Sequence, residues 1–390
     1  MKFIWCDDRC AKNAEVIFSI RLDTPCDRAV ICAADSYRVF ADGALISYGP
    51  ERCAAGYAKR RVIDIAGARE LTVAVLAYGV TNYCVDRQDP YFAAELYAGD
   101  GLVYEASDFE AYTKTSRLVN MPRYSGQRGY SEGYDLTQGG RVSLECYEVA
   151  PPEVLEGNAD VCDYGEYTFK KVAEGVFTGF DDVITPWWMT DGTYSISEND
   201  FSIDEATDRA AREGYRYEEY ELAAEKCGFL SFDIESEGEG ELIAVFEEMK
   251  PDGKWIFRRA KCNDFVYARC CEGSSSLLTS EPYAVRLLRI IHSEGVYAKP
   301  KLVAVENCRA DKVTVEGDDR IVKTFEAARN TFMQNATDIF MDCPGRERAG
   351  WLCDAYFTAK AELLFTGKND IERAYLENYL LANTPELPEG

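Results

Sequence analysis

The 390-residue chain is 47% hydrophobic and 28% charged, with 43 Lys and Arg against 68 Asp and Glu, a single histidine and a formal net charge of −25. At roughly 100 to 200 residues per domain there is room for two to four hydrophobic cores, which excludes disorder as the main state. A negative surplus of this size repels phosphate, which excludes nucleic acid and anionic membrane as partners and leaves neutral or cationic ligands.

From the start to about Ala150 the sequence is a succession of short β-rich runs. EVIFSIRL, RAVICAA, YRVFADGALISYG, RRVIDIAG, ELTVAVLAYGV and YFAAELYAGDGLVYEA are rich in Val, Ile, Tyr and Phe and are bounded by turn residues. Asp42-Gly43 and Gly99-Asp100-Gly101 are hairpin signals. Strands at this spacing predict a β-sandwich. The polar, aromatic and glycine-rich stretch Arg123 to Thr137 is expected as a surface loop, with a reach toward a sugar site as the alternative.

Pro151 and Pro152 open a crossing segment. Beyond it Trp187 and Trp188 read as a core edge, or alternatively as a carbohydrate-stacking platform. Strands return from about Tyr220, with Gly238-Glu239-Gly240 and Pro251-Asp252-Gly253 as hairpin marks, and predict a second sandwich. The single histidine, His292, lies in the apolar run LLRIIHSEG and is expected to be structural. Ser-His-Asp triads and His-rich zinc sites would all have to share it.

After Arg320 the period changes. Ile321, Phe325, Ala328, Phe332, Ala336 and Ile339 recur every three or four residues, one face of a helix that Pro344 ends. A second helix is predicted from about Gly350 to Phe365, stopped by Gly367, and a third from Asn369 or Asp370 to about Leu381. The organisation expected is mainly β: a sandwich over residues 1–150, a second over 151–315, and the start of an α-helical domain over 316–390.

Fifteen cysteines are scattered at irregular spacing, and neither Cys6 with Cys10 nor Cys270 with Cys271 has a second ligand pair at a zinc-finger distance. Neither a metal nor a cofactor is therefore expected. Acidic turns such as Asp181-Asp182 are expected to be solvated loops. The N-terminal apolar patch is too short for a signal peptide and no later run approaches the roughly 20 apolar residues of a membrane span, so a reducing cytoplasmic setting is expected.

The densest chemistry sits between the first two predicted helices, in MDCPGRERAGWLCDA, residues 341 to 355. It combines Asp342, Glu347 and Asp354 with Arg346, Arg348 and Trp351. Two readings stand side by side: a salt-bridged turn with Trp351 plugging the helix junction, or an active site. Glycoside hydrolysis needs one carboxyl that keeps a proton for the leaving oxygen, and further polar groups that hold the sugar. Neighbouring carboxylates and the tryptophan face would favour the protonated form of Glu347, Arg346 and Arg348 the ionised one. Trp351 also offers a flat face to a deoxysugar.

The loop resembles the motif D-C-P-x-R-E-R-x-G-W-x-x-D of bacterial α-L-rhamnosidases, through Asp342, Cys343, Pro344, Arg346, Glu347, Arg348, Gly350, Trp351 and Asp354. Arg329, Gln334, Asn335 and Asp338 ahead of Phe340 are similar to that family's approach to the motif. ADSYRVFADGALISYGP resembles its N-terminal sugar-binding-like sandwich, and ELIAVFEEMKPDGKW with EPYAVRLLRII the sandwich packed on its catalytic domain. The resemblance implies two β-sandwich domains followed by the first helices of an (α/α) six-hairpin barrel. It implies inverting hydrolysis of terminal α-L-rhamnose, with Glu347 as general acid and with Asp342, Arg346, Trp351 and Asp354 contacting the sugar. Leu352 and Cys353 stand where the family more often has Thr-Gly, a change that reshapes the pocket.

A six-hairpin barrel has twelve helices, which at about 11 to 12 residues each plus loops is well over 150 residues. The seventy residues after Arg320 hold about three. The general base is therefore expected beyond Gly390, and the 390-residue chain alone is expected to be inactive. The partners expected are a rhamnose-containing glycoside or oligosaccharide, with a homo-oligomer also allowed. The alternatives are a non-catalytic carbohydrate-binding fragment, or a glycosidase of the same architecture acting on another sugar.

Overall fold

The computed structural model describes residues 1–6, 12–85, 87–158, 160–180, 201–250, 253–255 and 262–381. Trp187, Trp188, the Asp181-Asp182 turn and the Pro251-Asp252 part of one expected hairpin lie outside the described residues.

The first β region is two sheets face to face. One orders Tyr147–Glu148, Ile4–Trp5, Tyr91–Ala98, Arg28–Ala34, Tyr57–Asp64 and Glu153–Glu156, and the other Arg141–Ser143, Glu110–Lys114, Ala14–Arg21, Glu70–Ala77, Ser36–Ala41 and Ala44–Gly49. Alternation within Ala14–Arg21 shows how the pattern makes the layer. Val16, Phe18 and Ile20 enter the core between the sheets, whereas Ile17 joins Ala74 and Tyr112 on the opposite face. Phe18 stacks on Phe92 across the sheets at 4.0 Å. Asp42 and Gly43 have φ of 48° and 83°, the two left-handed positions of a type I′ hairpin.

The second sandwich depends on one long strand, Arg216–Ser236. Its first half pairs with Lys170–Val176 and Tyr283–His292, its second half with Gly273–Leu278 and Val296–Ala304, and the register shifts between Glu221 and Lys226. A strand that changes partners at a bulge turns a corner, so one continuous sheet supplies both layers. Leu230, Phe232 and Ile234 beyond the bulge thereby share a core with Leu242, Val285 and Leu288. Two short strands tie the sandwiches together: Glu153–Glu156 runs parallel to Tyr57–Asp64 in the first, and Glu132–Asp135 runs parallel to Phe265–Cys270 in the second. His292 is buried at the end of its strand, Nδ1 3.0 Å from the Ser293 carbonyl.

A helix absent from the sequence reading, Ile203–Arg212, covers the outer face of this sheet, packing Ile203, Ala206 and Ala210 against Ile243, Val245 and Phe265. Its signal was present: Ser202 accepts from the Glu205 N–H, and Asp204 and Glu205 place negative charge in the first turn.

The helical region comprises Asp319–Asn335, Leu352–Thr366 and Asp370–Leu381. Gly367 stops the second in the left-handed conformation, φ 69°, as expected of a helix-ending glycine. The first helix corrects two expectations. It ends at Asn335, four residues before Ile339, because Gln334 is tied to the sandwich: its Oε1 accepts from Cys227 N–H at 2.6 Å and its Nε2 donates to Glu306 at 2.7 Å. Of its expected apolar face, Phe332, Ala336 and Ile339 are buried, whereas Ile321 is 60% exposed and Ala328 is exposed; in these first turns Phe325 packs edge-on against Phe365 of the second helix at 5.4 Å.

Candidate active site

The motif forms a closed loop between the first two of these helices. Its neck is pinched by the Asp342 N–H donating to the Ala349 carbonyl at 2.9 Å and the Ala349 N–H donating to Asp342 Oδ1 at 3.0 Å. Cys343 Sγ donates to the other carboxylate oxygen of Asp342 at 3.3 Å. Asp342 thus holds the loop together as well as lining its mouth. Burial raises its carboxyl above the ordinary value and the charge of Glu347 adds to this, against the bonds from Ala349 and Cys343.

Glu347 stands at the tip of the loop, its side chain 12% exposed. Oε1 accepts from Gln127 Nε2 at 3.1 Å and pairs with the guanidinium of Arg346, and Oε2 accepts from Trp351 Nε1 at 3.0 Å. A carboxylate oxygen offers two in-plane lone pairs. Both on Oε1 are engaged, and one on Oε2 remains open.

The two arginines beside Glu347 diverge, contrary to the expectation that both act on it. Arg346 is exposed and pairs with it. Arg348 has φ 58°, an uncommon conformation outside glycine, and this turns its side chain inward, 5% exposed, 3.7 Å from Glu281. Trp351 presents its ring edge-on to Tyr83, centroids 5.7 Å apart at 86°. The loop thus gathers Asp342, Arg346, Glu347 and Trp351. Asp354 stands apart, in the exposed first turn of Leu352–Thr366, where negative charge complements the helix dipole.

Two glycines are there for space. A Cβ on Gly345 would lie 2.7 Å from Glu248 Oε1, and one on Gly350 would lie 2.6 Å from Tyr375 Cε2. The Gly350 carbonyl also accepts from the hydroxyls of Tyr375 at 2.8 Å and Tyr379 at 2.9 Å, which moors the loop to the third helix. Gly350→Ala is expected to destabilise the protein by about 1 to 3 kcal/mol through overpacking. Denaturant unfolding measures this, and an unchanged midpoint would show that Tyr375 yields freely.

The sandwiches supply the rest of the setting. Arg123 to Thr137, expected as a surface loop, is largely buried and reaches the motif. Tyr124 and Tyr130 are 4% and 5% exposed, and Arg128, at 3%, donates to the Gly345 carbonyl at 2.9 Å and to Glu281 at 3.0 Å. Tyr124 hydrogen-bonds Asp264. A cavity of about 230 Å³ opens between the motif and the second sandwich, lined by Asp342, Arg346, Glu247, Glu248, Asp264 and Tyr124 among others. On the other side Arg52 of the first sandwich grips Asp338, its Nε at 2.7 Å and its Nη2 at 2.6 Å, while Nη1 donates to the Arg348 carbonyl at 2.6 Å. Among the described residues, no group of three or more His, Cys, Asp or Glu side chains converges as metal ligands do.

Residues 311–386, which contain this loop, match the family model of the bacterial alpha-L-rhamnosidase 6 hairpin glycosidase domain. Over those residues the chain is similar to the bacterial α-L-rhamnosidases. A curated alpha-L-rhamnosidase of Formosa agariphila is 28% identical over 165 residues, which are 39% of this chain and 17% of that protein. The GH78 family rhamnosidase of Bacillus sp. GL1 superimposes with a TM-score of 0.73 at 14% identity, over 96% of this chain and 62% of its own. An α-L-rhamnosidase of Streptomyces avermitilis, solved in complex with L-rhamnose, gives a TM-score of 0.59 at 14% identity, over 96% of this chain and 36% of its own. The chain therefore spans less than two thirds of each of these relatives. The fold matches the β-sandwich domains and the start of the helical domain of the rhamnosidases.

Gln127, Arg128, Tyr83, Arg52 and Glu281 were missed as site residues by sequence reasoning. Gln127 and Arg128 lie in a segment whose glycine-rich and aromatic composition did stand out. Tyr83, Arg52 and Glu281 carry no local signal.

Proposed function

We propose that the protein containing this chain is an inverting glycoside hydrolase acting on terminal α-L-rhamnose of glycosides or oligosaccharides, with Glu347 as its general acid. The observation that carries this is the environment of Glu347. Donors fill Oε1 and half of Oε2, so the remaining lone-pair position on Oε2 is where a proton can sit and from which it can pass to a glycosidic oxygen. Trp351, anchored through its Nε1, offers its ring beside that position to the apolar face of the sugar. Asp342, Arg346 and Asp354 are assigned to the sugar hydroxyls. The L-rhamnose complex of the Streptomyces relative supports the choice of sugar.

Inversion also needs a second carboxylate, roughly 6.5 to 9.5 Å from the acid, to activate water on the opposite face. The family resemblance assigns it to a glutamate of the helical domain. Incubating the whole protein with an aryl α-L-rhamnoside tests the reading: β-L-rhamnose is the first product expected by NMR. Release of the α-anomer would refute inversion, and cleavage of a different aryl glycoside with the rhamnoside left intact would refute the substrate.

A further inference from the structure

We infer that Tyr83 and Gln127, two residues outside the motif, form a clamp that fixes the orientation of the Glu347 carboxyl. The inference rests on the acid role proposed for Glu347 and names positioning residues for it.

The contacts close a ring. Gln127 Nε2 donates to Glu347 Oε1 at 3.1 Å. The Gln127 carbonyl accepts from the Tyr83 N–H at 2.9 Å. The Tyr83 ring stands edge-on to Trp351, and Trp351 Nε1 donates to Glu347 Oε2 at 3.0 Å. Each carboxylate oxygen is thus tied, through one intermediary, to the same short stretch of β-region backbone. A carboxyl held at both oxygens loses its freedom to rotate about its last bond, which is the freedom that would carry the proton away from the leaving group.

Both arms of the clamp are themselves braced. Next to Gln127, the buried Arg128 donates to the Gly345 carbonyl at 2.9 Å and to the Pro282 carbonyl at 3.1 Å, so the loop cannot slide relative to the motif. Next to Tyr83, Asn82 Oδ1 accepts from the N–H groups of Cys84 at 2.7 Å and Val85 at 3.0 Å, a side-chain-closed turn. Cys84 Sγ then approaches the Glu347 carbonyl at 3.8 Å. The arrangement is asymmetric in a useful way. Gln127 together with Arg346 occupies Oε1, which leaves Oε2 as the oxygen that carries the proton.

Removing the Gln127 amide releases Oε1 and lets the proton and the rotation spread over both oxygens. Gln127→Met, which keeps the length of the side chain and removes its donor, is expected to lower kcat on an alkyl α-L-rhamnoside by about 10- to 100-fold, since a misplacement of about 1 Å can cost that much. KM should change less than about 2-fold, because the amide faces the acid. With one donor to the ionised form gone, the alkaline limb of the kcat–pH profile is expected to move to higher pH. Tyr83→Ala, which removes the ring that stands against Trp351, should lower kcat with little change in KM.

The measurements are steady-state kinetics across pH on the whole protein and these variants, with thermal unfolding to show that each is folded. Wild-type kcat and an unmoved alkaline limb in a folded Gln127→Met, on a protein that does cleave the rhamnoside, would sink the clamp and leave the acid assignment standing. An unaltered protein that cleaves no rhamnoside would sink the glycosidase reading and the clamp with it. A loss confined to KM would make Gln127 a substrate contact and overturn the positioning role.

Discussion

Glu347→Gln is expected to cut hydrolysis of alkyl α-L-rhamnosides by about 10²- to 10⁴-fold, the range that a positioned general acid contributes. The glutamine amide oxygen can take the place of Oε1 and keep its bonds to Gln127 and Arg346. Its NH₂ group then faces the Trp351 N–H, donor against donor, and that hydrogen bond is lost at about 1 kcal/mol. Stability should therefore fall only slightly while turnover collapses. The leaving group discriminates an acid from a residue that merely supports the loop. An acidic phenol departs without much help, whereas an alkoxide needs the proton, so the loss should be far smaller on a nitrophenyl than on an alkyl rhamnoside. Equal losses on both substrates would show that Glu347 does not donate the proton.

Asp338→Ala is expected to be the most destabilising single change at the junction between the first sandwich and the helical region, at about 3 to 5 kcal/mol, the cost of leaving a buried charge without its partner. Asp338 and Arg52 have side chains only 12% and 13% exposed, and Asp338 Oδ2 also accepts from the Arg52 backbone N–H at 2.8 Å. Without the carboxylate, the guanidinium keeps only the Arg348 carbonyl among the partners described above. Since that carbonyl belongs to the motif, the same change should also lower activity. Denaturant unfolding of Asp338→Ala and Arg52→Ala measures the cost. A loss below about 1 kcal/mol would place the pair among ordinary surface salt bridges.

The same pair makes a pH prediction. Burial pushes the Asp338 carboxyl up, but the charge of Arg52 and the hydrogen bonds from it outweigh burial and hold the carboxyl well below the usual carboxylate range. A group with a depressed folded-state pKa contributes stability that is present above its unfolded value, about 3.9, and is lost as pH falls toward the folded one. The stability gap between the wild-type protein and Asp338→Asn should therefore be full above about pH 5 and shrink as pH falls below about 4. A gap that stays constant down to pH 3 would remove the ion pair as its source.

The elements that could be read from the chain are those whose information is local. Strand alternation in Ala14–Arg21, the Asp42-Gly43 turn and the Gly367 helix stop all arise from residues a few positions apart, and each appears where the pattern places it. The helix Ile203–Arg212 was equally local, and its Ser202 cap with Glu205 three residues on was legible but overlooked. The end of the Asp319–Asn335 helix was not local. Periodicity carried it on to Ile339, whereas the bonds of Gln334 to Cys227 and Glu306 in the sandwich stop it at Asn335.

The motif by itself determined which groups stand together, because a carboxylate, an arginine and a tryptophan within six consecutive residues, Arg346 to Trp351 with Glu347 between, must lie close together in any compact loop. Only the tertiary structure decided how those groups are used. Arg346 and Arg348 read alike in the sequence, yet the backbone sends one to Glu347 and the other to Glu281. Gln127 and Glu347, 220 residues apart, meet because one sheet takes in Glu132–Asp135 beside Phe265–Cys270 and so draws the preceding loop against the motif. Contacts of that kind depend on the packing of whole layers, where the free energy is shared over many residues and no short pattern records it.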